Sequence, residues 1–165
     1  GPLTDFIEKC SNDEVFVTLC PMSEDRVKRH ERFEFVLRFF AYLNNYQNFV
    51  HTVNEFLDEY LINNLVDFDE ASFYTDFQRM VSFVKENFPY GFAKTEKAKS
   101  TPRVRFEAIS VGVALALREN PNLKISNVDW IDSQEFKEYT TSDASNNEGK
   151  LKLRVEYVRD QLLKG

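Results

Sequence analysis

The sequence predicts an all-α protein: one compact domain, residues 1–165, of about six or seven helices around a buried central helix. Three observations carry this. The first is the periodicity of 29–46. Wound at about 100° per residue, it places Phe33, Val36, Leu37, Phe40 and Leu43 on one face and Phe35, Phe39, Tyr42 and Tyr46 on a second. Only Glu34, Arg38 and Asn45, with Ala41 among them, form a polar stripe. A helix apolar over most of its circumference is covered on several sides, and each large side chain buried there contributes about 1.5–3 kcal/mol. The second is punctuation: 5 Gly and 5 Pro in 165 residues call for long elements and short loops. The third is that no segment offers a partner strand. The β-branched run Val15-Phe16-Val17-Thr18 therefore reads as a helical turn.

Residues 3–10 form a short helix with Phe6, Ile7 and Cys10 on one side. Ser11 or Asn12 caps the next segment, 13–19, whose first turn holds acids as the helix dipole prefers. Pro21 ends it, and Ser23 caps a long helix that runs into the central one. Its charged first part, 24–32, projects from the body. Asn44-Asn45 closes the central helix. The next helix, 47–65, carries Phe49, Val53, Phe56, Leu57, Tyr60 and Leu61. Asp67 or Asp69 caps another, to about residue 87, with Phe73, Phe77, Met80, Val81, Val84 and Phe88 as its stripe. Pro89 and Gly91 break it.

Residues 91–102 are the long polar loop. Thr101-Pro102 suits an N-cap followed by proline at the first helical position. In the helix 103–119, Ala108, Gly112 and Ala116 make a small-residue strip, expected to seat the central helix as main partner. Residues 128–139 read as a short helix or turn burying Trp130. Ser145 serves as N-cap within the polar stretch 140–149, and 150–164 closes with Leu151, Val155, Val158 and Leu162 inward.

Composition excludes several classes. A net charge of −6 opposes a protein coated with nucleic acid over its whole surface, but not a local basic patch. Two cysteines, Cys10 and Cys20, provide no disulfide framework and fit a reducing cytoplasm. No apolar run reaches membrane-spanning length, and no signal peptide is visible. The start, Gly1-Pro2 without an initiator Met, is expected of an excised piece of a longer protein.

No catalytic constellation, metal site or cofactor motif is expected. His30-Glu31-Arg32-Phe33-Glu34 lacks the second histidine of the zinc-protease pattern. His51 and Glu55 share a helix face, and such a pair is more often a surface hydrogen bond than a ligand pair. Glycine-rich phosphate loops and nucleophile elbows are missing. The remaining candidate is a basic cluster, Lys94, Lys97, Lys99, Arg103 and Arg105, opposed locally only by Glu96. With the hydroxyls of Ser100 and Thr101, it would contact nucleic-acid phosphates. The competing reading is a solvated lysine-rich loop. Arg26, Lys28, Arg29 and Arg32 form a second cluster, diluted by Glu24, Asp25 and Glu31.

Three stretches carry a family resemblance. Residues 21–29 lead into Glu34-Phe35-Val36-Leu37-Arg38-Phe39-Phe40-Ala41-Tyr42. Phe56-Leu57-Asp58-Glu59-Tyr60 is the second. Phe136 is followed by Thr140-Thr141-Ser142-Asp143-Ala144-Ser145-Asn146 and then Arg154-Val155-Glu156-Tyr157-Val158. Together they resemble the C-terminal helical part of prokaryotic proteins whose N-terminal module is a GmrSD-type restriction endonuclease of the ParB/sulfiredoxin-like kind. The match runs over nearly the whole chain. In that family the catalytic motifs, including an Asp-Gly-Gln-Gln-Arg type signature, lie in the N-terminal module, and this chain has none of them. The resemblance implies a helical fragment of a nuclease-family antiviral-defence protein, partnered by its own nuclease-like module, with no catalytic residue carried over; contact with DNA is expected from the basic cluster and a cytoplasmic location from the cysteines. The alternative is a structural, oligomerisation or protein-interaction domain that makes no nucleic-acid contact and exposes a large apolar patch.

Overall fold

The computed structural model describes residues 1–48, 53–64, 68–141 and 148–165. Among them run α1 (Pro2–Ser11), α2 (Glu14–Leu19), α3 (Glu24–Lys28), α4 (Glu31–Asn45), α5 (Val53–Asn64), α6 (Glu70–Asn87), α7 (Arg103–Glu119), α8 (Gln134–Tyr139) and α9 (Glu148–Lys164). Short 3-10 turns occupy Tyr46–Asn48 and Asp129–Asp132, and no strand occurs among the described residues. The all-helical expectation holds.

The starts of α2, α3, α6 and α8 follow short acceptor side chains, which satisfy backbone N–H groups that have no partner inside the helix. Asp13, rather than Ser11 or Asn12, caps α2 by accepting from the Phe16 amide at 2.9 Å. Ser23 caps α3, Asp69 caps α6 and Ser133 caps α8. The expected roles of Phe49, His51, Asp67 and Ser145 lie outside the described residues, and so does the Val53 side chain.

The predicted long helix from 24 into the centre is two helices. His30 takes a left-handed conformation with φ of 60° and divides α3 from α4. The physical reason lies in α3, which has no buried residue and so no apolar stripe to continue that of α4. The turn lets α3 fold back against α4 instead of projecting.

α4 is buried as predicted, with every residue from Phe35 to Leu43 inside. The middle of its polar stripe is inside as well, with Arg38 6% exposed and Ala41 fully covered, while Glu34 and Asn45 stay partly exposed. Phe40 stacks on Phe73 of α6, with ring centres 5.2 Å apart, and Phe35 stacks on Phe106 of α7 at 4.8 Å. Aromatic pairs at such separations add to simple area burial. The aromatic residues of α1, α2, α4, α6 and α7 join one core, in which Phe16 meets Phe77, Phe92 and Phe106.

α7 is the second buried helix, covered along Val104–Ala114. Its principal partner is α9, not α4. The small-residue strip explains the difference: a Cβ placed on Gly112 would stand 2.4 Å from the Val158 Cβ and 3.0 Å from the Val155 carbonyl oxygen. The backbones of α7 and α9 therefore approach through Gly112. Leu151, Val155, Val158 and Leu162 of α9 are buried as the sequence predicts. Trp130 is only half-buried, edge-on to Phe88, Phe136 and Tyr157.

Candidate nucleic-acid interface

The segment 91–101 is tied to the body at both ends. At its start Gly91, with φ of +60°, turns the chain so tightly against α2 that a Cβ there would lie 2.7 Å from the Leu19 carbonyl oxygen. The Phe92 amide then donates to that oxygen at 2.9 Å, and the Phe92 ring is fully buried. At its end the Thr101 hydroxyl donates to the Pro21 carbonyl at 2.9 Å. Thr101 is thus a buried tether and not the expected cap. Pro102 occupies the N-cap position, and α7 begins at Arg103.

Between these anchors Lys94, Lys97 and Lys99 are exposed, and none forms an ion pair among the described residues. Glu96 is exposed among them.

The other two members of the predicted cluster are engaged by the protein. Arg105 is 6% exposed. Its Nε donates to the Phe92 carbonyl at 3.0 Å, its Nη2 donates to the Ala93 carbonyl at 3.5 Å, and its guanidinium lies 5.5 Å from the Phe136 ring centre. Burial pushes its pKa down, with Asp132 opposing the shift. An arginine held this way orders the start of the segment and presents no free fork to solvent. Arg103 is half-buried and pairs with Glu107 at 2.8 Å. The structure therefore does not bring the five residues together as one surface. It leaves three lysines outside and turns both arginines inward.

The second basic cluster lies against the first. Arg26 Nη1 donates to the Ser100 hydroxyl and, at 3.0 Å, to the Thr101 carbonyl, while its Nε faces Glu31 at 3.2 Å. Arg29 pairs with Asp25 at 3.1 Å and Glu31 at 3.3 Å, and Arg32 donates to the Cys20 carbonyl at 3.3 Å. Lys28 is exposed and has no ion pair among the described residues, and Glu24 and Asp25 are exposed acids of the same helix.

A buried ionic network that sequence reasoning missed joins α4, α7 and α9. Glu107, fully buried, accepts from Arg38 at 3.2 Å, Arg103 at 2.8 Å and Arg154 at 3.3 Å. Arg38 also donates to Glu34 at 2.7 Å and to the Tyr42 hydroxyl at 3.3 Å. Burial alone would lower the pKa of Arg38, but Glu107, Tyr42 and Glu34 together carry it upward. For Arg154 burial outweighs the attraction of Glu107, and its pKa is lowered. The one available signal was the Glu34/Arg38 spacing on an otherwise apolar helix.

Among the described residues no group of three or more His, Cys, Asp or Glu is placed to hold a metal ion, and no helix is long and apolar enough to cross a membrane. A cleft of about 420 Å³ between α6 and residues 121–124 carries Arg79, Glu86 and Lys124 at its rim and Phe83 and Leu117 on its floor. No family model, curated protein or solved structure matches the chain.

Proposed function

We propose that this chain is the helical domain of a prokaryotic, cytoplasmic, defence-type nuclease-family protein, supporting a GmrSD-type catalytic module and contacting nucleic-acid phosphates through Lys94, Lys97 and Lys99. The resemblance in 21–42, 56–60 and 136–158 is the source of the family reading. The observation that carries the phosphate contact is the anchoring of 91–101. Holding exposed, ion-pair-free lysines on a segment fixed at both ends lowers the ordering cost of binding. Lysine is a point-charge phosphate ligand and needs no shaped pocket. The buried cysteines, Cys10 and Cys20, are consistent with a reducing compartment.

The test is fluorescence anisotropy of labelled duplex and single-stranded DNA titrated with this chain at several salt concentrations. Binding is expected to weaken steeply with salt. Lys94→Glu/Lys97→Glu/Lys99→Glu should abolish it while urea unfolding stays unchanged. Arg103 and Arg105 are left intact, because their loss would disturb the fold. An unchanged affinity in the triple variant overturns the reading.

The protein-contact alternative calls for a contiguous apolar patch. Among the described residues the exposed large apolar side chains are Val15, Val27, Tyr74, Tyr90 and Leu153, one each on α2, α3, α6, the turn after α6, and α9. Scattered single residues of this kind are ordinary on a protein surface.

A further inference from the structure

Among the described residues Arg79 is the one arginine whose guanidinium forms neither a hydrogen bond nor an ion pair with the protein. Every other arginine there, from Arg26 to Arg159, is held by an acid, a hydroxyl or a carbonyl. Arg79 lines the cleft of about 420 Å³ between α6 and residues 121–124, a size within the range of about 300–1,000 Å³ usual for ligand sites. It shares one face of α6 with Ser82, Phe83 and Glu86, as the helical spacing requires. Phe83 and Leu117 are 7% and 6% exposed, so the floor is the edge of the hydrophobic core. Arg79, Glu86 and Lys124 at the rim are exposed, and neither Glu86 nor Lys124 forms an ion pair among the described residues.

We propose that this cleft binds the free C-terminus of a short peptide that ends in an apolar residue. The terminal carboxylate meets the Arg79 fork, and the last side chain lies on Phe83 and Leu117. Charge complementarity carries the choice of ligand. Two unpaired cations against one acid favour an anion, and a planar guanidinium matches a planar carboxylate with two parallel hydrogen bonds. The apolar floor calls for an apolar body beside that charge. Glu86 stands seven residues after Arg79, about 10.5 Å along the helix axis at 1.5 Å per residue. That is the span of about three extended residues. Glu86 therefore accepts N–H groups from the ligand backbone and repels a second acid there. This inference stands apart from the phosphate contact proposed for the lysine segment.

The experiment is a titration of the ¹⁵N-labelled chain with millimolar acetyl-Ala-Ala-Ala-Phe as its free acid, followed by NMR. Shifts are expected at the Arg79 Nε–H and at the amides of Ser82 and Leu123. The C-terminal amide of the same peptide should bind at least about tenfold more weakly, as the loss of a charge-assisted hydrogen bond requires. Arg79→Gln should weaken the free acid equally while urea unfolding stays unchanged, because Arg79 holds nothing in the fold. Replacing the final Phe of the peptide by Glu should weaken binding as well.

Equal binding of acid and amide, or undiminished binding to Arg79→Gln, overturns the carboxylate contact. Shifts confined to residues outside α6 and 117–124, or no shifts at all, overturn the site. Phenylacetate binding as tightly as the tetrapeptide overturns a peptide as occupant, since a small apolar acid then suffices. The lysine segment is judged separately by DNA binding, so either result leaves that reading where its own test puts it.

Discussion

At Glu107 a single carboxylate, fully buried, faces three guanidinium groups from three helices. Taking charges out of water is costly, and a buried pair does not by itself stabilise a fold. Removing one member is another matter, because the rest remain buried without compensation. Glu107→Gln should therefore destabilise the protein by about 3–5 kcal/mol. Glu96→Gln, on the exposed segment, should change stability by no more than about 0.5 kcal/mol. Urea unfolding measures both, and equal small effects would mean the network adds nothing. Part of this site was legible: Glu34 and Arg38 stand at i,i+4 on a helix that is apolar over most of its circumference. Glu107 was not, because its partnership with Arg38 spans 69 residues and no local pattern announces a charge that pairs across the core. Arg105 was misplaced for a related reason. It follows Arg103 and the lysine segment in sequence, but its partners are the Phe92 and Ala93 carbonyls, which only the folded loop supplies.

At the scale of elements, helix location was readable and helix partnership was not. Apolar spacing located α6, α7 and α9, and the Asp69 cap marked the start of α6, because both are local properties. Which helix occupies the Ala108–Gly112–Ala116 strip depends on chain path. The strip suits any close neighbour, and α9 took it. Gly112→Ala should accordingly cost about 1–3 kcal/mol through overpacking. Val158→Gly, which removes the Cβ 2.4 Å from the added methyl together with its branches, should be markedly less harmful in the Gly112→Ala background than in wild type. Thermal unfolding of the four proteins closes the cycle, and additive effects would exclude the contact. The break at His30 shows the same limit. Ser23 correctly announced a helix, but nothing nearby announced that α3 would turn back to meet Ser100.

At the scale of the molecule, burial sets the response to alkali. Burial pushes the Cys10 and Cys20 thiols from 9.0 up to about 12, and the Tyr42 and Tyr60 phenols from 10.0 up to about 12. The folded state thus holds these protons more tightly than the unfolded chain. Their contribution to stability is intact below pH 9 and drains away as pH climbs toward 12. Circular dichroism and tyrosinate absorbance, followed together, should show Tyr42 and Tyr60 ionising only as helicity is lost. Ionisation of all 7 tyrosines near pH 10 with helicity intact would contradict this. The all-helical class was legible because it sums over many local signals. The lysine surface was half legible, since exposure could be read from composition but not which cations the protein keeps for itself.

The seating of Val158 on Gly112 also has a consequence for synthesis. A ribosome makes α7 well before α9, since the intervening 120–147 must be translated first, and elongation proceeds at about 5–20 residues per second. For seconds the nascent chain carries an apolar helix whose groove has no occupant. That interval is when a chaperone, or another nascent copy, has access to it. Slowing translation between the two helices should lower soluble yield, and supplying α9 as a separate peptide during synthesis should restore it.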